Sequence, residues 1–258
     1  MNKHQVAEEV YKNYKNKGKL DFFCKRNINF DISTAYEIQR QVTEMKIKDN
    51  REKLMGYKIS MTSEETQKPV NTNSPAYGTF TNVNIQSSSV QMDPQFSYLI
   101  EPELVFLITE DLSIGAGASE IINKSKVAPG LEIPTARYHD WFPPPTDINV
   151  ADYIADNTCT GMLVYGEPVE IPTSMDWEGI KATLYFNDEK LDEGYSSSVW
   201  GNPVNAVCWL TEKLASENRS LKKGMIVSSG TFTLPKLVEK GMYHVDYDIF
   251  GMVSVKIE

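Results

Sequence analysis

Hydrophobic positions along this chain follow two different periods. In residues 3–18, Val6, Val10, Tyr11 and Tyr14 recur at helical spacing, and the pattern ends near Gly18. A second helix is predicted over residues 33–48, with Ser33 as N-cap, Glu37 near the capping-box position, and Ala35, Ile38, Val42 and Met45 inward. After Arg51-Glu52-Lys53 the texture becomes β: strands are predicted at 54–61, 76–80, 97–109 and 127–133, with a glycine-containing loop at 111–118 and a short helix at 119–125. The prolines in 141–146 exclude a helix interior or a central strand there, so this run reads as the start of a loop leading to a helix near 149–156. Further strands are expected at 161–165 and at 181–186 before an Asn187-Asp188 turn. A helix follows over 203–216 with Pro203 in its first turn, and 225–229 and 245–256 read as short closing strands. Helices lead, strands dominate the rest, and no Pro/Gly/Ser linker divides them. The pattern predicts an α+β chain, with a helical portion (1–53) packed on the same unit as a β-rich domain (54–258).

One strand carries an anomaly. In Tyr98-Leu99-Ile100-Glu101-Pro102-Glu103-Leu104-Val105-Phe106, the alternation of a strand sends Glu101 and Glu103 to the same face. Such spacing alone also fits an exposed, solvated face. The continuous apolar flanks argue instead for a strand covered on both sides. Two carboxylates there repel each other and lose hydration, a cost that a hard divalent cation with oxygen ligands, Mg2+ or Mn2+, would offset. Glu132, in Leu131-Glu132-Ile133, sits in a similar setting, and the three acids read as one metal site.

Composition narrows the remaining classes. Of 258 residues, 41% are hydrophobic and 24% charged, so a packed core rather than disorder is expected. A net charge of −9 without a basic stripe opposes nucleic acid and anionic membranes as partners. No apolar run approaches a membrane span, and the N-terminus lacks a signal-peptide core. Cys24, Cys159 and Cys208 are odd in number and widely spaced, which suits reduced thiols in a cytoplasmic protein. His4, His139 and His244 offer no histidine-rich zinc site.

Other residues carry weaker signals. Lys58, in Gly56-Tyr57-Lys58-Ile59, lies within an apolar strand, where a lysine needs an anion and becomes a candidate proton carrier; a strand-end lysine reaching water fits equally. Arg137 and Asp140 read as a pair bracing the loop after Glu132, with Arg137 also a candidate contact for a substrate. Asp156-Asn157 fits a cap or turn, or a group orienting the site. Ser228-Ser229-Gly230-Thr231 offers Ser229 and Thr231 for a substrate carboxylate, or is an ordinary strand-to-turn sequence.

Taken in order, Gly56-Tyr57-Lys58, Pro75-Ala76-Tyr77-Gly78-Thr79, Ile100-Glu101-Pro102-Glu103, Leu131-Glu132-Ile133, Ala155-Asp156-Asn157 and Gly201-Asn202-Pro203-Val204-Asn205-Ala206 resemble the fumarylacetoacetate hydrolase superfamily. The closer likeness is to its 2-keto-4-pentenoate hydratases and 4-oxalocrotonate decarboxylases, from about Ala35 to the C-terminus. The resemblance implies a mixed β-roll, often in homo-oligomers, around Mg2+ (or Mn2+) bound by Glu101, Glu103 and Glu132, with Lys58 as the family lysine. It implies a small 2-oxo or 2-hydroxy enoic acid as substrate. Ala76 stands where hydratases of this kind carry an acidic residue, and Ser60 where a glycine is common. Lys68 falls where decarboxylase-like sequences have a lysine and is a candidate for a second substrate carboxylate. With Asp156, Lys58 and Lys68 form the expected catalytic set. The first expectation is hydration of 2-hydroxypenta-2,4-dienoate to 4-hydroxy-2-oxopentanoate. The alternatives are decarboxylation of 4-oxalocrotonate (2-oxohex-3-enedioate), acylpyruvate hydrolysis, a non-catalytic small-acid-binding protein, and a purely structural β-domain.

Overall fold

The computed structural model describes residues 1–142, 148–172 and 174–258. Helix Lys3–Asn16 begins with a reciprocal cap: the Asn2 side chain accepts from the Gln5 N–H, and the Gln5 side chain accepts from the Asn2 N–H. The second helix, Ile32–Asn50, is capped two positions earlier than its sequence suggests. Its N-cap is Asp31, which accepts from the Thr34 N–H at 2.7 Å, rather than Ser33. An ionised acceptor at a helix N-terminus outcompetes a neighbouring hydroxyl. Ala35, Ile38 and Val42 face inward as the period requires, and Met45 is half-buried. Gln39 ties this helix to the rest, donating to the Tyr77 and Ile154 carbonyls at 2.9 and 3.1 Å.

The larger sheet runs, in spatial order, Ala76–Thr81, Leu54–Ser60, Ile226–Thr231, Leu99–Ile108, Ser125–Ile133 and Met162–Tyr165. Leu54–Ser60 and Ile226–Thr231 are parallel, and the other neighbours along this path are antiparallel. A second sheet orders Ser89–Val90, Gly251–Ile257, Gly241–Tyr247, Lys181–Phe186 and Glu189–Tyr195. Helices and curled mixed sheets together make an α+β fold of the β-roll type.

Two expectations change here. Residues 245–256 are not one strand but parts of a hairpin, Gly241–Tyr247 against Gly251–Ile257, turned with Gly251 at φ 77°. Glu189–Tyr195 is a strand that the pattern did not signal. It lies at the sheet edge, where charged residues replace the apolar alternation. Of the proline-rich loop, residues 143–147 lie outside the described residues. The helix after it runs Val150–Ala155, with Asn149 as its cap.

One large buried cluster runs from Val6 to Ile257 and joins the helices to both sheets. A smaller cluster of Phe80, Val105, Ala128, Leu163 and Ile226 lies on one face of the larger sheet. Among the described residues, no helix is long and apolar enough to cross a membrane.

Candidate active site

Paired residues in a ladder place their side chains on the same face, so register alone locates the site. Glu101 pairs with Glu132 and Glu103 with Gly130, while Lys58 pairs with Gly78 on one side and Ser228 on the other. Val105, two residues on from Glu103, pairs with both Ser228 and Ala128. The smaller apolar cluster is therefore a dry floor, and above it on the same face stand Lys58, Ser228, Glu101, Glu103 and Glu132. Gly130 is glycine because a Cβ there would meet Val105 at 2.6 Å and the Glu103 carbonyl oxygen at 2.9 Å. A Cβ on Gly78 would lie 2.1 Å from Thr160 Oγ1 and 2.5 Å from the Asn157 carbonyl. Gly78→Ala is thus expected to cost about 1–3 kcal/mol, as overpacking does, and to disturb Lys58 across the ladder; urea denaturation measures the first.

All three glutamates are buried, Glu132 completely, and one oxygen from each lies within 4.8 Å of the other two. Glu103 Oε2 accepts from Ser228 Oγ at 2.6 Å and from the Gly230 N–H at 3.0 Å. A β-bulge makes the second bond possible. The register slips between Ser228 and Thr231, and Gly230 adopts φ 117°, turning its N–H onto the carboxylate. Lys58 Nζ lies 2.9 Å from Glu132 Oε1. That contact is an ion pair without hydrogen-bond alignment, and neither Glu132 oxygen has a hydrogen-bond partner.

Burial pushes all three carboxyl groups up. Glu101 is raised to about 7, and Glu103 well above its usual range because Glu132 and Glu101 add repulsion. Glu132 is raised by burial and partly relieved by Lys58. Burial alone would lower Lys58, but Glu132, Glu101 and Glu103 reverse the sign and hold the ammonium protonated. Ionised together, three carboxylates facing one ammonium would leave two negative charges uncompensated, and a divalent cation matches that deficit. The Glu132 oxygens, left without a hydrogen bond, and the all-carboxylate donor set fit such an ion.

A cavity of about 350 Å³ opens over this cluster. Lys58, Glu101 and Glu103 line its polar end, and its walls are largely apolar, including Leu99, Phe142 and Leu234. Trp141 also lines it, and its buried indole N–H has no partner. Thr231 is on the wall, but Ser229 is not. Ser229 falls in the bulge, buried, with its hydroxyl unpartnered elsewhere.

Several sequence-based assignments change position. Lys68 points to solvent, its side chain 75% exposed, and pairs with Glu64 at 3.0 Å one helical turn away; the cavity is lined by its neighbours Thr66 and Pro69 instead. Arg137 does not pair with Asp140, which is exposed. Its guanidinium meets Asp156, whose other oxygen accepts the Arg137 N–H at 2.8 Å. Both residues are buried and neither lines this cavity; the pair ties the loop after Glu132 to the end of helix Val150–Ala155. Arg137→Met would strand the Asp156 charge and is expected to cost roughly 3–5 kcal/mol in urea denaturation. The residue missed was Ser228. No spacing in the sequence marks it, because only the ladder register brings it to Glu103.

No family model matches the chain. It is 32% identical over 234 residues to the 2-oxo-hept-4-ene-1,7-dioate hydratase of Escherichia coli, covering 87% of this chain and 86% of the relative. It is 26% identical over 218 residues to the 2-hydroxypent-2,4-dienoate hydratase of Pseudomonas putida, with 82% and 95% covered. Its backbone superposes on 4-oxalocrotonate decarboxylase from Pseudomonas putida G7, complexed with magnesium and adipate, with a TM-score of 0.89 at 20% identity, covering 100% of this chain and 99% of the other. The chain belongs to the 2-keto-4-pentenoate hydratase and 4-oxalocrotonate decarboxylase branch of the fumarylacetoacetate hydrolase superfamily.

Proposed function

We propose that this protein is a divalent-metal-dependent lyase that hydrates 2-hydroxypenta-2,4-dienoate to 4-hydroxy-2-oxopentanoate. One observation carries the reading: three buried carboxylates and a buried lysine converge at the closed end of an apolar cavity sized for a small acid. Glu101, Glu103 and Glu132 would hold Mg2+ or Mn2+. When bound, such an ion would supply Lewis-acid stabilisation of the negative charge that develops on the substrate's 2-oxygen.

The chain's own residues do the rest. Lys58, kept protonated by its carboxylate neighbours, places a fixed positive charge and a transferable proton beside the 2-oxygen. Ser228 and the Gly230 N–H fix Glu103 in orientation, as supporting hydrogen bonds do around metal ligands. The apolar walls keep bulk water from the unsaturated tail, and the Trp141 indole N–H is a donor left for the bound acid.

The same walls favour hydration of a monocarboxylate over decarboxylation of a diacid. Lys68 faces solvent, and Lys236, near the mouth, is paired with Asp192 at 2.7 Å. Among the described residues, each cavity-lining cation is already paired, Lys58 with Glu132 and Lys236 with Asp192, and none is left for a second carboxylate. Incubation of the purified protein and Mg2+ with each acid tests this. Water uptake by the dienoate without gas release is expected. CO2 release from 2-oxohex-3-enedioate without hydration would overturn the reaction type, and binding of both acids without turnover would leave a small-acid-binding protein.

A further inference from the structure

The hydration step needs a group to aim the incoming water, and most of the cavity's polar groups are already engaged. Thr158 Oγ1 donates to the Tyr77 carbonyl at 2.6 Å, and Thr231 Oγ1 to the Thr233 carbonyl at 2.8 Å. Tyr153 donates to the Trp141 carbonyl at 3.1 Å, and Thr66 to the Ser63 carbonyl at 3.0 Å. The Cys159 thiol is kept neutral by burial and is a weak acceptor. Glu101 and Glu103 belong to the ion, and Glu65 is exposed on the outer rim. Among the described residues, Ser60 is the wall hydroxyl without a side-chain hydrogen bond.

Its placement is set by the sheet. Ser60 follows Lys58 by two residues on the same strand, so both side chains point into the roll. Across the antiparallel ladder it faces Ala76; on the other side the parallel pairing stops at Lys58 and Ser228, and Gly230 packs against Thr62 instead. Opposite the small Ala76, the half-buried hydroxyl stands on the cavity wall, on the same strand face as the lysine.

We propose that Ser60 is the positioning residue for the added water: its Oγ accepts a hydrogen bond from that water and directs the water's lone pair at C4 of the substrate. This rests on the hydratase reading above. Ketonisation of the dienol first moves a proton to C5. The C4–O bond then forms as the C3=C4 π pair moves toward C2 and its oxygen. The water's surplus proton leaves to solvent at the open mouth, and C3 takes up one proton from solvent. One H2O is added and nothing else is consumed.

The test compares wild type with Ser60→Ala and Ser60→Thr in three assays: hydration of 2-hydroxypenta-2,4-dienoate, calorimetric binding of 2-oxopentanoate with Mg2+, and deuterium exchange at C3 of 2-oxopentanoate in D2O. The saturated acid binds and enolises but has no double bond to hydrate. Ser60→Ala is expected to lower kcat for hydration roughly 10²-fold, the scale of losing alignment. Its 2-oxopentanoate affinity and exchange rate should stay within about 2-fold of wild type, since neither uses the added water, while Ser60→Thr restores most of kcat because the hydroxyl is retained. Undiminished hydration by Ser60→Ala overturns the proposal, as does an equal fall in hydration and exchange. Absence of exchange and of 2-oxopentanoate binding in wild type would instead bring down the hydratase reading, and this proposal with it.

Discussion

Replacing Glu103 by Gln is expected to weaken Mg2+ or Mn2+ binding by about 100-fold or more, roughly 3 kcal/mol, while the fold persists. The amide keeps a carbonyl oxygen to accept from Ser228 and the Gly230 N–H, so the bulge has no reason to move. What disappears is one of three negative charges that the ion neutralises. For the same reason, the variant in excess chelator should melt at or above the wild-type temperature, because a buried like-charge repulsion has been removed. Calorimetric titration with the metal and a thermal scan check both halves. Unchanged affinity would remove Glu103 from the site.

Lys58→Met separates the lysine's two roles. With metal bound, turnover is expected to fall by about 10²–10⁴-fold, the range for losing a positioned proton-transfer group, with a much smaller change in metal affinity. Without metal, the three carboxylates lose the cation they face, and stability should drop by roughly 3–5 kcal/mol, as when one partner of a buried pair is removed. Because metal affinity changes little, the gain in melting temperature on metal addition should be close to that of wild type, so the variant stays the less stable of the two with or without the ion. Full residual activity would rule out a catalytic lysine.

The residues of the carboxylate–lysine cluster were legible because they violate their surroundings. Two glutamates and a lysine inside apolar strands contradict the burial pattern, and a period of two puts Glu101 and Glu103 on one face without any structure. What escaped depends on partners distant in sequence. Ser228 reaches Glu103 only through an antiparallel register with a bulge, and Arg137 meets Asp156 rather than nearby Asp140 because a short helix folds back onto the loop. Lys68 misled for a local reason. It ends a helix of four residues, too short for periodicity to fix which way a side chain points, and the structure turns it outward to Glu64. Residues 245–256 read as one strand because Asp248, Ile249 and Phe250 lack a strong turn signature, and the decisive residue, Gly251, follows them.

The most direct test of the account is an anomalous difference map from crystals soaked in Mn2+. A single strong peak is expected among the carboxylates of Glu101, Glu103 and Glu132, beside Lys58 and at the closed end of the cavity. A peak elsewhere, or none at millimolar Mn2+, would contradict the claim that these three acids exist to hold a divalent ion.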